Sequence, residues 1–186
     1  RVRSSAASDV YKRQADGPAA GGDFYDVFTI EPGKVAIMLG DVSGHGRQAL
    51  TRAALTRYTL RAYLQAGLEP RMALALAGRV LVEVSGERYA TVALGVHDAQ
   101  AGTLTYALAG HVPPILLDAE AREPLTICSS APIGWGMPTG RRQTTVSLPP
   151  AARACFFSDG LIEARCDGQL LGRARLREML AGLGAA

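Results

Sequence analysis

Apolar residues along this chain change their spacing several times, and each change marks an element. Residues 23–30 (Asp-Phe-Tyr-Asp-Val-Phe-Thr-Ile) are rich in aromatic and β-branched side chains and predict a strand. Glu31-Pro32-Gly33-Lys34 has turn chemistry, and residues 35–41 predict the next strand. The pair makes an antiparallel hairpin, which brings Asp23 at the start of one strand beside Asp41 at the end of the other. Residues 47–66 switch to helical spacing, with Ala49, Leu50, Ala53, Ala54, Leu60, Ala62 and Leu64 apolar. Gly67 closes that helix from the C′ position. Pro70 opens a second helix, running to about Val84.

Strand spacing returns at residues 89–97 and 103–109, joined tightly by Asp98-Ala99-Gln100-Ala101-Gly102. Ala109-Gly110-His111-Val112-Pro113-Pro114 interrupts, and Ile115-Leu116-Leu117 begins a further strand. Residues 118–142, with Pro124, Pro132, Gly134, Gly136, Pro138 and Gly140, read as one long irregular loop, of the kind that is functional or forms a lid. Residues 143–148 and 154–158 predict strands joined through Pro149-Pro150, and residues 173–183 a closing helix. Two successive helices between hairpins exclude a simple βαβ repeat. They predict an α+β fold, an antiparallel sheet covered by helices.

Composition narrows the setting. The 186 residues suit one domain with a sizeable core. No apolar run approaches the roughly 20 residues of a membrane helix, and the N-terminal stretch lacks the apolar core of a signal peptide. Cys128, Cys155 and Cys166 have neither metal-type spacing nor even pairing, which points to a reduced, cytoplasmic environment. The net charge of +3 belongs to residues 1–14, where Arg1, Arg3, Lys12 and Arg13 face only Asp9. That segment has no periodicity and reads as foreign or disordered, leaving residues 15–186 as the domain. The neutral remainder gives no basic patch for nucleic acid.

Three aspartates carry the candidate chemistry. Asp23, Asp41 and Asp159 each sit at a predicted strand end beside glycine, in Gly21-Gly22-Asp23-Phe24-Tyr25-Asp26, Gly40-Asp41-Val42-Ser43-Gly44-His45-Gly46 and Ser158-Asp159-Gly160. Any one alone reads better as a turn former. Three in matching contexts point to one site for a hard divalent cation, which takes oxygen ligands and keeps several waters. The glycine turn after Asp41 opens a helix, a further place for an anion. Asp26 reads as another ligand, as an acceptor behind the ligands, or as an outward strand residue. His45 reads as a solvent-facing turn residue, with phosphate polarisation as its alternative. His111 reads equally as a structural or a catalytic residue. A P-loop and a serine-hydrolase elbow are both absent.

These motifs, with Ala109-Gly110-His111-Val112-Pro113-Pro114 and Ser158-Asp159-Gly160-Leu161-Ile162-Glu163-Ala164, occur in the order and spacing of a known family. The chain resembles the SpoIIE-type branch of the bacterial PPM (PP2C-like) serine/threonine phosphatases over about residues 15–183. The resemblance implies an α-β-β-α sandwich of two antiparallel sheets flanked by helices. It implies two Mn²⁺ or Mg²⁺ ions and attack by a metal-bound water. Position by position, Asp23 would be the first metal ligand, Asp41 would bridge the two ions, the Val42 carbonyl would coordinate one, and Asp159 would complete the pocket, with Gly160 beside it. The implied substrate is a phosphorylated STAS-type anti-sigma-factor antagonist, and the implied upstream partner a sensor domain. Family members continue to an Asp-Asp turn and a last strand, so this chain reads as truncated at both ends. The alternative implied by that truncation is a pseudophosphatase that binds a partner without turnover.

Overall fold

A computed structural model describes residues 22–85, 88–118, 129–166 and 168–183, with backbone only at 82–85. Segment 1–14 and part of the 118–142 loop lie outside the described residues. The first half is built from long elements: strands β1 (Phe24–Glu31) and β2 (Lys34–Val42), helices α1 (Arg47–Gln65) and α2 (Pro70–Ser85), and strands β3 (Ala90–Asp98) and β4 (Thr103–Ala109). The second half is built from short ones. These are β5 (Ile115–Leu117), β6 (Ser129–Ser130), β7 (Thr144–Ser147), β8 (Arg153–Cys155), α3 (Asp159–Glu163), β9 (Arg165–Cys166), β10 (Gln169–Leu170) and α4 (Gly172–Gly182).

The main sheet runs β1-β2-β3-β4, and β4 also pairs with β6 and β7. All of its pairings are antiparallel except the short β4–β6 contact, which is parallel. Strands β5 and β8 form a second, two-stranded antiparallel sheet. Strand alternation sorts side chains into three apolar layers. Phe24, Phe28, Ala36, Met38 and Val42 pack under α1 and α2, against Leu60, Leu64 and Leu74. On the opposite face, Ala93, Leu104, Tyr106 and Leu108 meet Leu116, with Ala154 and Phe156 alongside. Ile115 and Leu117 point the other way, toward Leu171 and Leu176 around α4. The result is the expected α-β-β-α layering.

Local chemistry accounts for the boundaries. Gly33 takes φ 85 at the hairpin turn. Helix α1 ends in a Schellman motif: Gly67 (φ 85) donates to the Leu64 carbonyl at 3.0 Å and Leu68 to the Tyr63 carbonyl at 3.1 Å. Its first turn has no side-chain cap. A cap contributes about 1 kcal/mol, whereas burying Leu60 and Leu64 contributes about 2 kcal/mol each, so packing holds this helix. The sequence reading differs at Asp159. Residues 156–158 leave the sheet and Asp159 opens α3, because its Oδ1 accepts from the Gly160 N–H at 2.9 Å and the Ser158 carbonyl accepts from Leu161 at 3.1 Å. Helix α3 and the paired β9–β10 were not predicted.

Candidate metal centre

The hairpin register places the first two aspartates. Phe24 stands opposite Gly40, and the Val42 N–H donates to the Gly22 carbonyl at 3.2 Å, which carries the ladder past the strand end. Asp23 therefore lies across from Asp41. Gly40 and Val42 are buried toward the helices, so Asp41 belongs to the opposite face, the one shared with the second sheet. Glycine is required on both strands for closeness rather than for unusual dihedrals. A Cβ at Gly22 would lie 2.1 Å from the Val42 carbonyl oxygen, and one at Gly40 would lie 2.5 Å from the Phe24 ring and 2.6 Å from the Thr91 carbonyl oxygen.

The third aspartate arrives from the other sheet. Asp159 follows β8 and is exposed. Its charge is nevertheless felt at Asp41. Burial pushes the Asp41 carboxyl above its ordinary value, and the neighbouring Asp23 and then Asp159 carboxylates push it further, against a hydrogen bond from the Val42 backbone. Asp23 and Asp159 thus lie near enough for their charges to act on Asp41.

His111 fastens the two sheets at this point. Its ring is buried, 7% exposed, with Nδ1 2.9 Å from Thr91 Oγ1 and Nε2 3.1 Å from the Phe157 carbonyl oxygen. A carbonyl only accepts, so the proton is assigned to Nε2, and Nδ1 accepts from the Thr91 hydroxyl. Thr91 is the ladder partner of Asp41, and Phe157 lies two residues before Asp159. Burial pushes the His111 pKa down; the Phe157 carbonyl, Asp159 and Asp23 pull it back up.

The remaining candidates go elsewhere. Asp26 lies on the helix side and pairs with Arg61 of α1, Nη1 to Oδ2 2.9 Å, while that guanidinium stacks 4.3 Å from the Phe28 ring centroid. His45 is exposed in the turn. Around it, Arg88 donates from Nη1 to the Ser43 carbonyl at 3.2 Å and from Nη2 to Gln48 Oε1 at 3.0 Å. The Ser43 N–H donates to the Tyr89 carbonyl at 2.9 Å, and the Tyr89 N–H donates to Ser43 Oγ at 3.0 Å. Arg88 occupies the space that a Cβ of Gly44 would need, with Nη1 2.0 Å from that position. Nothing in the local pattern marks Thr91 or Arg88, because both act through partners 20 to 45 residues away.

The donor set suits a hard cation. Carboxylate oxygens dominate it, and the mutual repulsion at Asp41 is the state that a divalent ion relieves. Among the described residues, no three His, Cys, Asp or Glu side chains form a group that could by itself hold a metal ion. An open, largely hydrated site for Mg²⁺ or Mn²⁺ needs only one or two carboxylates, which Asp23 and Asp41 would supply.

Comparison with known proteins bears on the same fold, and the family match takes in Asp41 and Asp159. The family model described as Stage II sporulation protein E (SpoIIE) matches residues 31–185. The structure is similar to the RsbU and RsbW domains of Rv1364c from Mycobacterium tuberculosis, with 30% identity and a TM-score of 0.76 over 92% of this chain and 48% of that one. It is also similar to the PP2C phosphatase domain of SpoIIE from Bacillus subtilis, with 18% identity and a TM-score of 0.69 over 88% of this chain and 49% of that one. RsbX in complex with magnesium shares the fold at 17% identity and a TM-score of 0.65, over 95% of this chain and 86% of that one. The chain spans about half the length of the first two. The match over most of its length, together with the α-β-β-α layers around three aspartates, makes this chain a member of the SpoIIE family and its fold that of a PP2C-type phosphatase domain.

Proposed function

We propose that the domain hydrolyses phosphoserine or phosphothreonine on a protein, with Mn²⁺ or Mg²⁺ held at the aspartate cluster. The observation that carries this reading is that Asp23, beside β1, and Asp159, at the start of α3, both lie near enough to act on the half-buried carboxyl of Asp41 on β2. In this reading Asp23, just before β1, and Asp41, on β2, would hold the ions, and the Val42 carbonyl would add a backbone oxygen. Asp159 closes the pocket from α3. When bound there, divalent ions supply charge neutralisation and a more acidic water. The chain's own residues orient that chemistry: the hairpin sets the Asp23–Asp41 spacing, and His111 sets the position of the Asp159 segment relative to β3. The substrate in this proposal is a phosphorylated STAS-type anti-sigma-factor antagonist, in the cytoplasm, under control of a sensor domain in the full-length protein. The RsbU–RsbW pairing in the mycobacterial relative supports that placement.

The test is phosphate release from a phosphoserine STAS-domain protein with Mn²⁺ and with EDTA, together with Mn²⁺ binding followed by electron paramagnetic resonance. Mn²⁺-dependent release that Asp41→Asn abolishes, along with a loss of bound Mn²⁺ signal, is the expected result. Partner binding without any Mn²⁺-dependent release would replace this reading with that of a pseudophosphatase.

A further inference from the structure

Trp135 is the sole tryptophan in the chain, and it is 54% exposed. Met137, two residues on, is 62% exposed. Gly134 and Gly136 flank the indole at φ 87 and 77, so no adjacent side chain covers it. The ring is nevertheless held. The Tyr89 ring packs edge-on against it, with centroids 4.6 Å apart and planes at 79°. The backbone before it is pinned to β3 by two hydrogen bonds, Ala90 N–H to Ile133 O at 2.8 Å and Ile133 N–H to Ala90 O at 2.9 Å. The indole is therefore fixed in position while most of its face meets water, a state that loses apolar burial and gains nothing for the fold. Rigid exposed aromatic anchors of this kind are what protein interfaces use, since little side-chain entropy is left to lose on binding.

The anchor's place relates it to the metal centre. Ala90 stands between Val42 on one side and Ile133 on the other. With strands about 4.8 Å apart, Ile133 lies roughly 10 Å across the sheet from Val42. The ring's neighbour Tyr89 is bonded through its backbone to Ser43, two residues after Asp41. A small phosphorylated molecule held at the aspartates does not reach that far. A folded protein covering about 800 Å² makes a footprint of roughly 16 Å radius and does.

We infer that Trp135 and Met137 form the docking anchor for the protein that presents its phosphoserine to Asp41, an inference that rests on the phosphatase reading above. Because Trp135 is the sole tryptophan, its emission reports docking without turnover. A tryptophan-free STAS-domain protein, in phosphoserine and unphosphorylated forms, is titrated into this chain carrying Asp41→Asn. A blue shift of the emission is expected. In the wild-type chain with Mn²⁺, Trp135→Ala should lower the ratio of kcat/KM on the phosphoprotein to kcat/KM on p-nitrophenyl phosphate at least tenfold, and Trp135→Phe should restore part of it. An unshifted emission together with an unchanged ratio overturns the inference. Turnover of p-nitrophenyl phosphate alone, with no shift, overturns it too and leaves the metal-dependent chemistry standing. A blue shift with no turnover of either substrate retains the docking anchor and removes the phosphatase reading.

Discussion

The two halves of the chain deliver their aspartates by different means. Asp23 immediately precedes the eight-residue β1 and Asp41 lies in the nine-residue β2, which pairs with β3 along its whole length and with β1 as far as Gly40. Asp159 stands on a five-residue helix with no buried residue, after a three-residue strand. The first half positions its carboxylates by continuous ladder register. The second half ties its carboxylate to the first through one imidazole, bonded to Thr91 and to the Phe157 carbonyl, and seats it on the small core in which Phe157 is buried and against which Ile162 packs. A site can thus combine a floor set by a long ladder with a wall seated on a smaller core, and the two parts should fail differently.

The largest difference should appear in catalysis. Asp41→Asn removes the carboxylate that the other two surround, and should lower kcat/KM on p-nitrophenyl phosphate with Mn²⁺ by at least about a hundredfold. Asp159→Asn, at an exposed wall residue, should cost less. Equal losses would erase the distinction between floor and wall.

Stability comes next. Leu94 of β3 is fully buried beneath the α1–α2 layer, and Leu94→Ala should cost about 3 kcal/mol, lowering the midpoint of urea unfolding for the whole domain. Leu176→Ala, in the smaller core around α4, should cost less and should raise hydrogen exchange mainly in residues 153–183. Uniform exchange in both variants would mean that the halves open together.

His111→Phe sits between the two halves. Leaving the Phe157 carbonyl and Thr91 hydroxyl without their partner should cost about 2 kcal/mol. It should also weaken Mn²⁺ binding, which a merely packed histidine would not alter. His111 carries a depressed pKa, so the folded state binds fewer protons than the unfolded chain. Its stabilisation is present above the ordinary value of 6.5 and is lost as pH falls below it. The acid limb of the stability curve should flatten in His111→Phe.

The smallest effect has the opposite sign. The Asp41 carboxyl is raised, so the metal-free folded state takes up a proton more readily than the unfolded chain. Its destabilisation is present at neutral pH, fades as pH falls through the raised value, and is gone below the ordinary 3.8. In EDTA at pH 7, Asp41→Asn should therefore stabilise the domain, by about 1 kcal/mol or roughly 3 °C in Tm. A lower Tm would show that the carboxyl is compensated by something else.

What could be read in the sequence follows the same division. The floor was legible because a turn at Gly33 and two apolar strands set a register, and register fixes which residues face each other. The family motif marked Asp159, but not its place at a helix start, since five residues carry no period. Two-residue strands such as β6, β9 and β10 have none either. His111 stayed open between structure and catalysis because the choice depends on what its two nitrogens meet, Thr91 and Phe157, at separations of 20 and 46 residues. Trp135 went unremarked within a long loop, since exposure of a single ring is settled by tertiary packing alone.

The loop that carries Trp135 is also sewn to α2. Ser130 Oγ accepts from the Gly140 N–H at 2.9 Å and lies 3.1 Å from Thr139 Oγ1, and Gln143 Oε1 accepts the Arg71 N–H at 3.1 Å in the first turn of the helix. A Cβ at Gly140 would fall 2.2 Å from the Arg71 carbonyl oxygen, and one at Gly78 would fall 2.6 Å from Thr139 Cγ2. Helix and loop interlock like two halves of a zip. A side chain added at Gly78 or Gly140 would therefore wedge the loop away from the helix, several residues from Trp135.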